Sequence, residues 1–410
     1  MRAWFFTEDA YPQLPDPETY PSIRVNLPNK HFDPETGADN YHQFLDMWLM
    51  AEELGLEVML NEHHQTATCV VPAVPIMAGI LARQTKTARI LVLGNPLANL
   101  PRPTRTAEEM AMVDVISRGR LECGFVRGVP YESAPANVMP YRGTERMWEA
   151  HDLILKAWTA HDGPFNFEGR WFHARQVNIW PRPWQQPHPP VWVTVGSAGT
   201  AVPVAEHDYV GAVFLAGYPG IRRIFDGYRD GYQARHNADA PLDKLAYCAL
   251  VYVADDEAEA KKGGNEVLWY MTSNKVATEY INPPGYHPPA VAAQIAGGGN
   301  LARSLPSQTT LDEQMARGNV FCGTPDQVYE QIKAFYDYSG GFGNLLIMGQ
   351  AGHLTFEQTL RSMTLFANEV YPRLKELTAG YDAGAMKETR AALPDKEGID
   401  LGTFGLEFAR

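Results

Sequence analysis

Glu62-His63-His64 closes a short apolar run, Glu57–Leu60. A histidine placed there can move protons near neutral pH. Neighbouring residues on an extended chain point to opposite sides, so at most one of His63 and His64 can face a common site. Two packed histidines satisfying loop hydrogen bonds are the competing reading. A metal site would need more ligands, and the chain has no HExxH or matching Asp/Glu/His set. Glu62 suits orienting the loop. Further on, Gly196-Ser197-Ala198-Gly199-Thr200 follows Val191–Val195 and opens a helical stretch. Free N–H groups and the dipole at a helix N-terminus favour a phosphate, and Ser197 and Thr200 can add hydroxyl donors. The same two residues equally suit helix capping. Arg127 ends the run Leu121–Val126 with a planar cationic fork fit for phosphate, and Gly128 lets the backbone come close. A surface ion pair is the alternative use of Arg127.

These groups need elements that bring them to one place. Apolar runs predict strands at Arg2–Phe6, Glu57–Leu60, Arg89–Leu93, Leu121–Val126, Val191–Val195, Tyr209–Phe214, Leu245–Val253 and Asn344–Met348. Helical periodicity predicts helices at Tyr41–Leu54, Pro72–Gln84, Thr104–Ser117 and Gly143–Trp158. Others are expected from Thr200–His207, near Ile221–Ala234, and at Thr355–Leu377. This alternation predicts an α/β chain folded as a (β/α)8 TIM barrel, whose chemistry gathers at strand C-termini. An open doubly wound sheet would usually show a glycine-rich turn after its first strand, and Phe6-Thr7-Glu8-Asp9 is not one.

One barrel domain over residues 1–380 is expected, with insertions near 8–40, 161–190 and 281–320 and a C-terminal tail, 381–410. The FNFEGRWF stretch in the second insertion alternates like a hairpin. The first and third insertions fall on the active-site side and are expected to cover a substrate. Trp4, Phe5 and Phe6 either line the mouth or fill the core.

Composition narrows the partners. Lys and Arg number 35 against 48 Asp and Glu, a net charge of −13, with no basic stripe for nucleic acid. The cysteines Cys69, Cys123, Cys248 and Cys322 lie far apart without a CxxC pair, so neither a thiolate zinc site nor an oxidising compartment is implied. Acidic residues interrupt MRAWFFTEDA too early for a signal peptide, and no apolar stretch reaches the ~18 residues that span a bilayer. A cytoplasmic protein with no membrane contact is expected.

Several motifs in one order sharpen this reading. They are Glu62-His63-His64, Arg105-Thr106-Ala107-Glu108-Glu109, Val113-Asp114-Val115-Ile116-Ser117-Arg118-Gly119-Arg120 and Gly124-Phe125-Val126-Arg127-Gly128. Together they resemble the luciferase-like flavin monooxygenase family, and the resemblance resumes at Val191–Glu206 and Cys322–Leu377. It implies His63 as the catalytic residue. It implies cofactor binding by Asn95, Pro96, Leu97, Val126, Arg127, Gly128, Gly196, Ser197 and Thr200. A non-proline cis peptide beside the flavin is implied at Pro96–Leu97. Arg105, Glu108, Glu109, Asp114, Arg118 and Arg120 read as scaffold.

The implied chemistry uses reduced FMN from a separate NAD(P)H:flavin reductase. Molecular oxygen adds at the flavin C4a, and a small apolar organic substrate is hydroxylated, epoxidised or oxidised in the Baeyer–Villiger sense. A homodimer through helices near strands two and three is also implied. Two alternatives stay open: hydride transfer with the deazaflavin F420, and a non-catalytic flavin-binding partner subunit, which would be expected to lose the flavin-site residues.

Overall fold

The computed structural model describes residues 1–16, 19–273, 287–296 and 309–380. The first half of the chain alternates regularly: β1 (Arg2–Thr7), α1 (Pro34–Glu53), β2 (Glu57–Leu60), α2 (Val74–Gln84), β3 (Ile90–Pro96), α3 (Pro103–Ser117) and β4 (Leu121–Val126). A short helix, α4 (Pro130–Ser133), and a long one, α5 (Gly143–Thr159), lead to the strands β5 (Phe165–Glu168) and β6 (His173–Val177). Then come β7 (Val191–Thr194), α6 (Ala198–Glu206), β8 (Val210–Phe214), α7 (Gly217–His236), β9 (Leu245–Val253), β10 (Val320–Gly323) and β11 (Asn344–Gln350). Parallel pairing runs β9-β11-β1-β2-β3-β4-β7-β8 and closes on itself through β8–β9, giving a (β/α)8 TIM barrel.

Alternation along the strands sorts the core into two layers. Trp4, Phe6, Leu91, Leu93, Trp192, Cys248 and Met348 fill the barrel interior. Ala3, Phe5, Ile90, Val92, Phe125 and Val193 face the helices. So Trp4 and Phe6 point inward while Phe5 belongs to the outer layer. The floor of the barrel is polar but paired. Glu122 receives Arg2 Nη1 at 2.9 Å and is also bonded by Arg89 and the Trp192 indole. All four cysteines are buried and free.

The departures from the expected elements have local causes. α1 starts at Pro34 because Asp33 caps it, accepting from the N–H groups of Glu35 and Thr36, with proline in the first turn. β10 is only four residues long and extends the flank of β9 above β8: Leu215 N–H donates to Cys248 O, and Leu250 N–H to Asn319 O. The final helix breaks into Phe356–Leu365, a π turn over Phe366–Val370, and Tyr371–Ala379. Pro372 lacks the N–H that would bond back to Asn368, so the ladder cannot run through. The second insertion does form an antiparallel hairpin, β5–β6. In the third, helices span Pro289–Ala296 and Leu311–Arg317; 281–286 and 297–308, like the tail 381–410, lie outside the described residues.

Candidate active site at the barrel mouth

The C-terminal ends of β1, β2 and β4 meet at His63. Its Nδ1 lies 2.9 Å from Glu132 Oε1, and its Nε2 lies 3.9 Å from Glu8 Oε1. Glu8 is held from the other side by Asn61 Nδ2 at 3.1 Å. Burial alone would lower the His63 pKa, but the hydrogen bond and charge of Glu132, with the charge of Glu8, outweigh it and the net shift is upward. The Glu8 pKa is also raised, because burial outweighs His63, Arg24 and Asn61. His63 therefore lies between two carboxyl groups, with 18% of its side chain open. His64 turns away: its Nε2 is 3.0 Å from Glu62 Oε1, while Glu62 Oε2 accepts from Val74 N–H at the start of α2. Glu62 thus orients the loop.

A second cluster lies on neighbouring strands. Phe125 of β4 pairs with Val193 of β7, so Arg127 follows a strand adjacent to the one that leads into α6. Ser197 is the N-cap of α6 and accepts from Thr200 N–H at 3.2 Å. Thr200 Oγ1 in turn accepts from Gly196 N–H at 3.2 Å and Ser197 N–H at 3.0 Å. The N–H groups of Ala198 and Gly199 have no intrahelical acceptor. A Cβ placed on Gly196 or Gly199 would meet nothing within 4 Å, so space stands open before the helix end. Capping and anion binding are therefore compatible: the hydroxyls set the turn, and the first-turn N–H groups remain available. Arg127 is exposed and makes no hydrogen bond or ion pair among the described residues. Gly128 has φ +90°, and a Cβ there would lie 2.5 Å from Asn99 Nδ2, so the position demands glycine.

A family model for luciferase-like monooxygenases matches residues 23–341. The chain belongs to the luciferase-like monooxygenase family. It is accordingly an enzyme, a flavin-dependent monooxygenase. This monooxygenase is 24% identical over 359 residues to the oxygenase component of flavin-dependent trigonelline monooxygenase from Acinetobacter baylyi, covering 84% of its own chain and 92% of that protein. Its fold is similar to that of the oxygenating constituent of 3,6-diketocamphane monooxygenase from Pseudomonas putida, a type II Baeyer–Villiger monooxygenase in complex with FMN. That match has a TM-score of 0.66 at 19% identity and covers 82% of this chain and 93% of the other. It is also similar to the coenzyme F420-dependent tetrahydromethanopterin reductase from Methanopyrus kandleri, with TM-score 0.61, 16% identity, and 81% and 95% of the two chains covered.

One expectation for β3 of the monooxygenase is corrected. The non-proline cis peptide is Leu93–Gly94, not Pro96–Leu97. The chain can take that form where β3 and β4 press together without side chains: a Cβ on Gly124 would sit 2.6 Å from Val92 O. Pro96 and Leu97 instead continue along β4, with Leu97 N–H donating to Val126 O at 3.0 Å. Asn95 is buried in the wall, its Nδ2 donating to Gly124 O at 3.0 Å, and Leu97 belongs to the outer layer. Neither side chain points into the barrel. Val126 does pack on the interior cluster.

Sequence reasoning missed Glu8, Arg24 and Glu132. Glu8 carried a signal, being an acid directly after an apolar strand. Arg24 and Glu132 sit in irregular connections whose course no periodicity announces.

Proposed function

We propose that this monooxygenase binds reduced FMN at the barrel mouth and uses it with oxygen to oxygenate an organic substrate beside His63. The observation that carries the reading is the open, positively polarised end of α6, which follows the strand that pairs with β4, the strand Arg127 follows. A phosphate there would receive the N–H groups of Ala198 and Gly199, the hydroxyls of Ser197 and Thr200, and the Arg127 fork. Gly128 would let the β4 loop approach the cofactor closely. Val126 and the wall around Asn95, Pro96 and Leu97 would buttress it, the last three through backbone and position. When bound, reduced flavin supplies the activation of oxygen. His63 holds or releases a proton at Nε2, Glu132 fixes its ring through Nδ1, and Glu8 sets the charge it sees. The loop after β1 and α4 exclude water from this corner.

An anaerobic titration with FMNH2 tests the phosphate seat. Arg127→Ala should weaken binding about tenfold to a hundredfold, the worth of one charge-assisted contact. An unchanged affinity would remove Arg127 from the site.

Two features of the assembly belong to the same proposal. A separate flavin reductase supplies the reduced cofactor, a reading supported by the relative that is itself an oxygenase component. The enzyme pairs as a homodimer through α2 and α3, where Ile76, Met112, Val115 and Ile116 are exposed on adjacent helices.

A further inference from the structure

Arg24 sits in the connection after β1 and is 3% exposed, yet it is poorly satisfied. Its Nη1 donates to the Tyr131 hydroxyl at 3.1 Å and lies 3.9 Å from Glu8 Oε1, an ion pair too long for a hydrogen bond. Tyr131 and Tyr270 flank the guanidinium, at 6.0 and 5.6 Å from ring centroid to Cζ. Nε and Nη2 are buried and have no partner among the described residues. These two atoms form one planar edge of the guanidinium, the edge that takes both oxygens of a carboxylate in parallel hydrogen bonds. Leaving such donors buried and unpaired is costly, so a protein retains them where something else completes them.

Glu8 does not complete the edge. Its Oε1 is 3.9 Å from both Arg24 Nη1 and His63 Nε2, and it too has no hydrogen bond. Arg24, Glu8 and His63 therefore lie together at the end of β1, with the Nε–Nη2 edge of Arg24 left over. In barrel order this strand is separated from β7, where the phosphate would sit, by β2, β3 and β4. An anion on Arg24 would thus be a different group from the cofactor phosphate, and it would lie beside His63. Because the edge is buried, an anion reaches it only when neighbouring side chains move aside.

We propose that the free edge of Arg24 anchors a carboxylate of the substrate, making this enzyme a monooxygenase of organic carboxylates instead of uncharged hydrocarbons. The proposal rests on the reading of the mouth as the substrate site. It replaces the apolar substrate expected from the sequence. The two tyrosine rings supply an apolar frame for the carbon skeleton, and Arg24 supplies orientation relative to His63.

Calorimetry separates the possibilities, using benzoate and cyclohexanecarboxylate against benzamide and cyclohexanecarboxamide. It is run anaerobically on the whole protein, with and without FMNH2. Each carboxylate should bind at least tenfold tighter than its amide. Arg24→Gln should erase that preference while leaving FMNH2 affinity within twofold, and Arg24→Lys should restore part of it. Because Arg24→Gln can disturb the fold, the wild-type carboxylate-to-amide ratio is decisive by itself. Amides that bind as tightly as acids overturn the proposal, and so does failure of the whole series to bind. A drop in FMNH2 affinity in Arg24→Gln with the carboxylate preference intact also overturns it, by giving the edge to the cofactor. If wild-type protein binds no FMNH2, the cofactor reading fails, while the flavin-free comparison still decides the anchor.

Discussion

His63 shows how a common side chain is specialised by its neighbours. Its raised pKa means that its charge stabilises the fold fully below the unfolded value, ~6.5, and that this contribution is lost as pH rises through the folded value. Removing the Glu132 charge should move the His63 titration to lower pH. NMR of the imidazole in Glu132→Gln checks this, and an unmoved titration would mean Glu132 does not govern the ring. His63→Ala should cut oxygenation turnover by roughly a hundredfold or more with FMNH2 affinity retained, as loss of a positioned proton carrier does. Asp9 gives the opposite kind of prediction. Both of its carboxyl oxygens are buried and without a hydrogen-bond partner among the described residues, and burial followed by the Glu8 charge drives its pKa well up. Stability is therefore lost as pH rises from the unfolded value through the folded one. Asp9→Asn should raise the melting temperature, more at pH 8 than at pH 5. A gain that is equal at both pH values would contradict this account.

At the scale of elements, single arginines staple helix ends to strands. Arg120 donates to Ala82 O, Thr85 O and Oγ1, Ala88 O and Ser117 O at 2.7–3.1 Å, tying the ends of α2 and α3 to the entry of β3. Arg229 of α7 donates to the carbonyls of Ser339, Gly340 and Gly341 at 2.7–2.9 Å, fixing the turn before β11. Arg120→Ala should cost about 2–3 kcal/mol, since it orphans several carbonyls at once. Urea denaturation measures it, and a loss under ~0.5 kcal/mol, typical of a plain surface substitution, would refute the staple. The scaffold role of Arg120 was legible in its motif. So were the barrel strands, because strands buried on both faces read as continuous apolar runs. The four residues of β10, the early start of α1 and the break at Phe366–Val370 were hidden. Each is decided by a cap, a proline or a neighbouring strand edge, not by periodicity. The candidate residues that follow a strand directly, His63, Arg127 and Ser197, could be picked out from the sequence, and the structure places them at strand C-termini. Arg24 and Glu132 were illegible, because irregular backbone folds back there. For β3 the motif indicated the right strand, but the cis bond lies at Leu93–Gly94, three bonds before the one expected.

At the scale of the molecule, the acidic, closed barrel leaves an apolar face on α2 and α3, with Ile76 65% exposed. Light scattering should give a dimer, and Met112→Glu with Ile116→Lys should give a folded monomer; a wild-type monomer would remove the proposed interface. Within each barrel, β4 and β7 carry the proposed phosphate seat, and β1 and β2 carry the proposed proton site. The account therefore requires a reduced flavin of FMN size lying across the mouth. Anaerobic titration of the wild-type protein with FMNH2 and F420H2 in parallel, followed by admission of oxygen, tests this directly. The account predicts tight FMNH2 binding, weaker F420H2 binding, and oxygen consumption that depends on the bound FMNH2. Preference for F420H2 with no reaction with oxygen would contradict it.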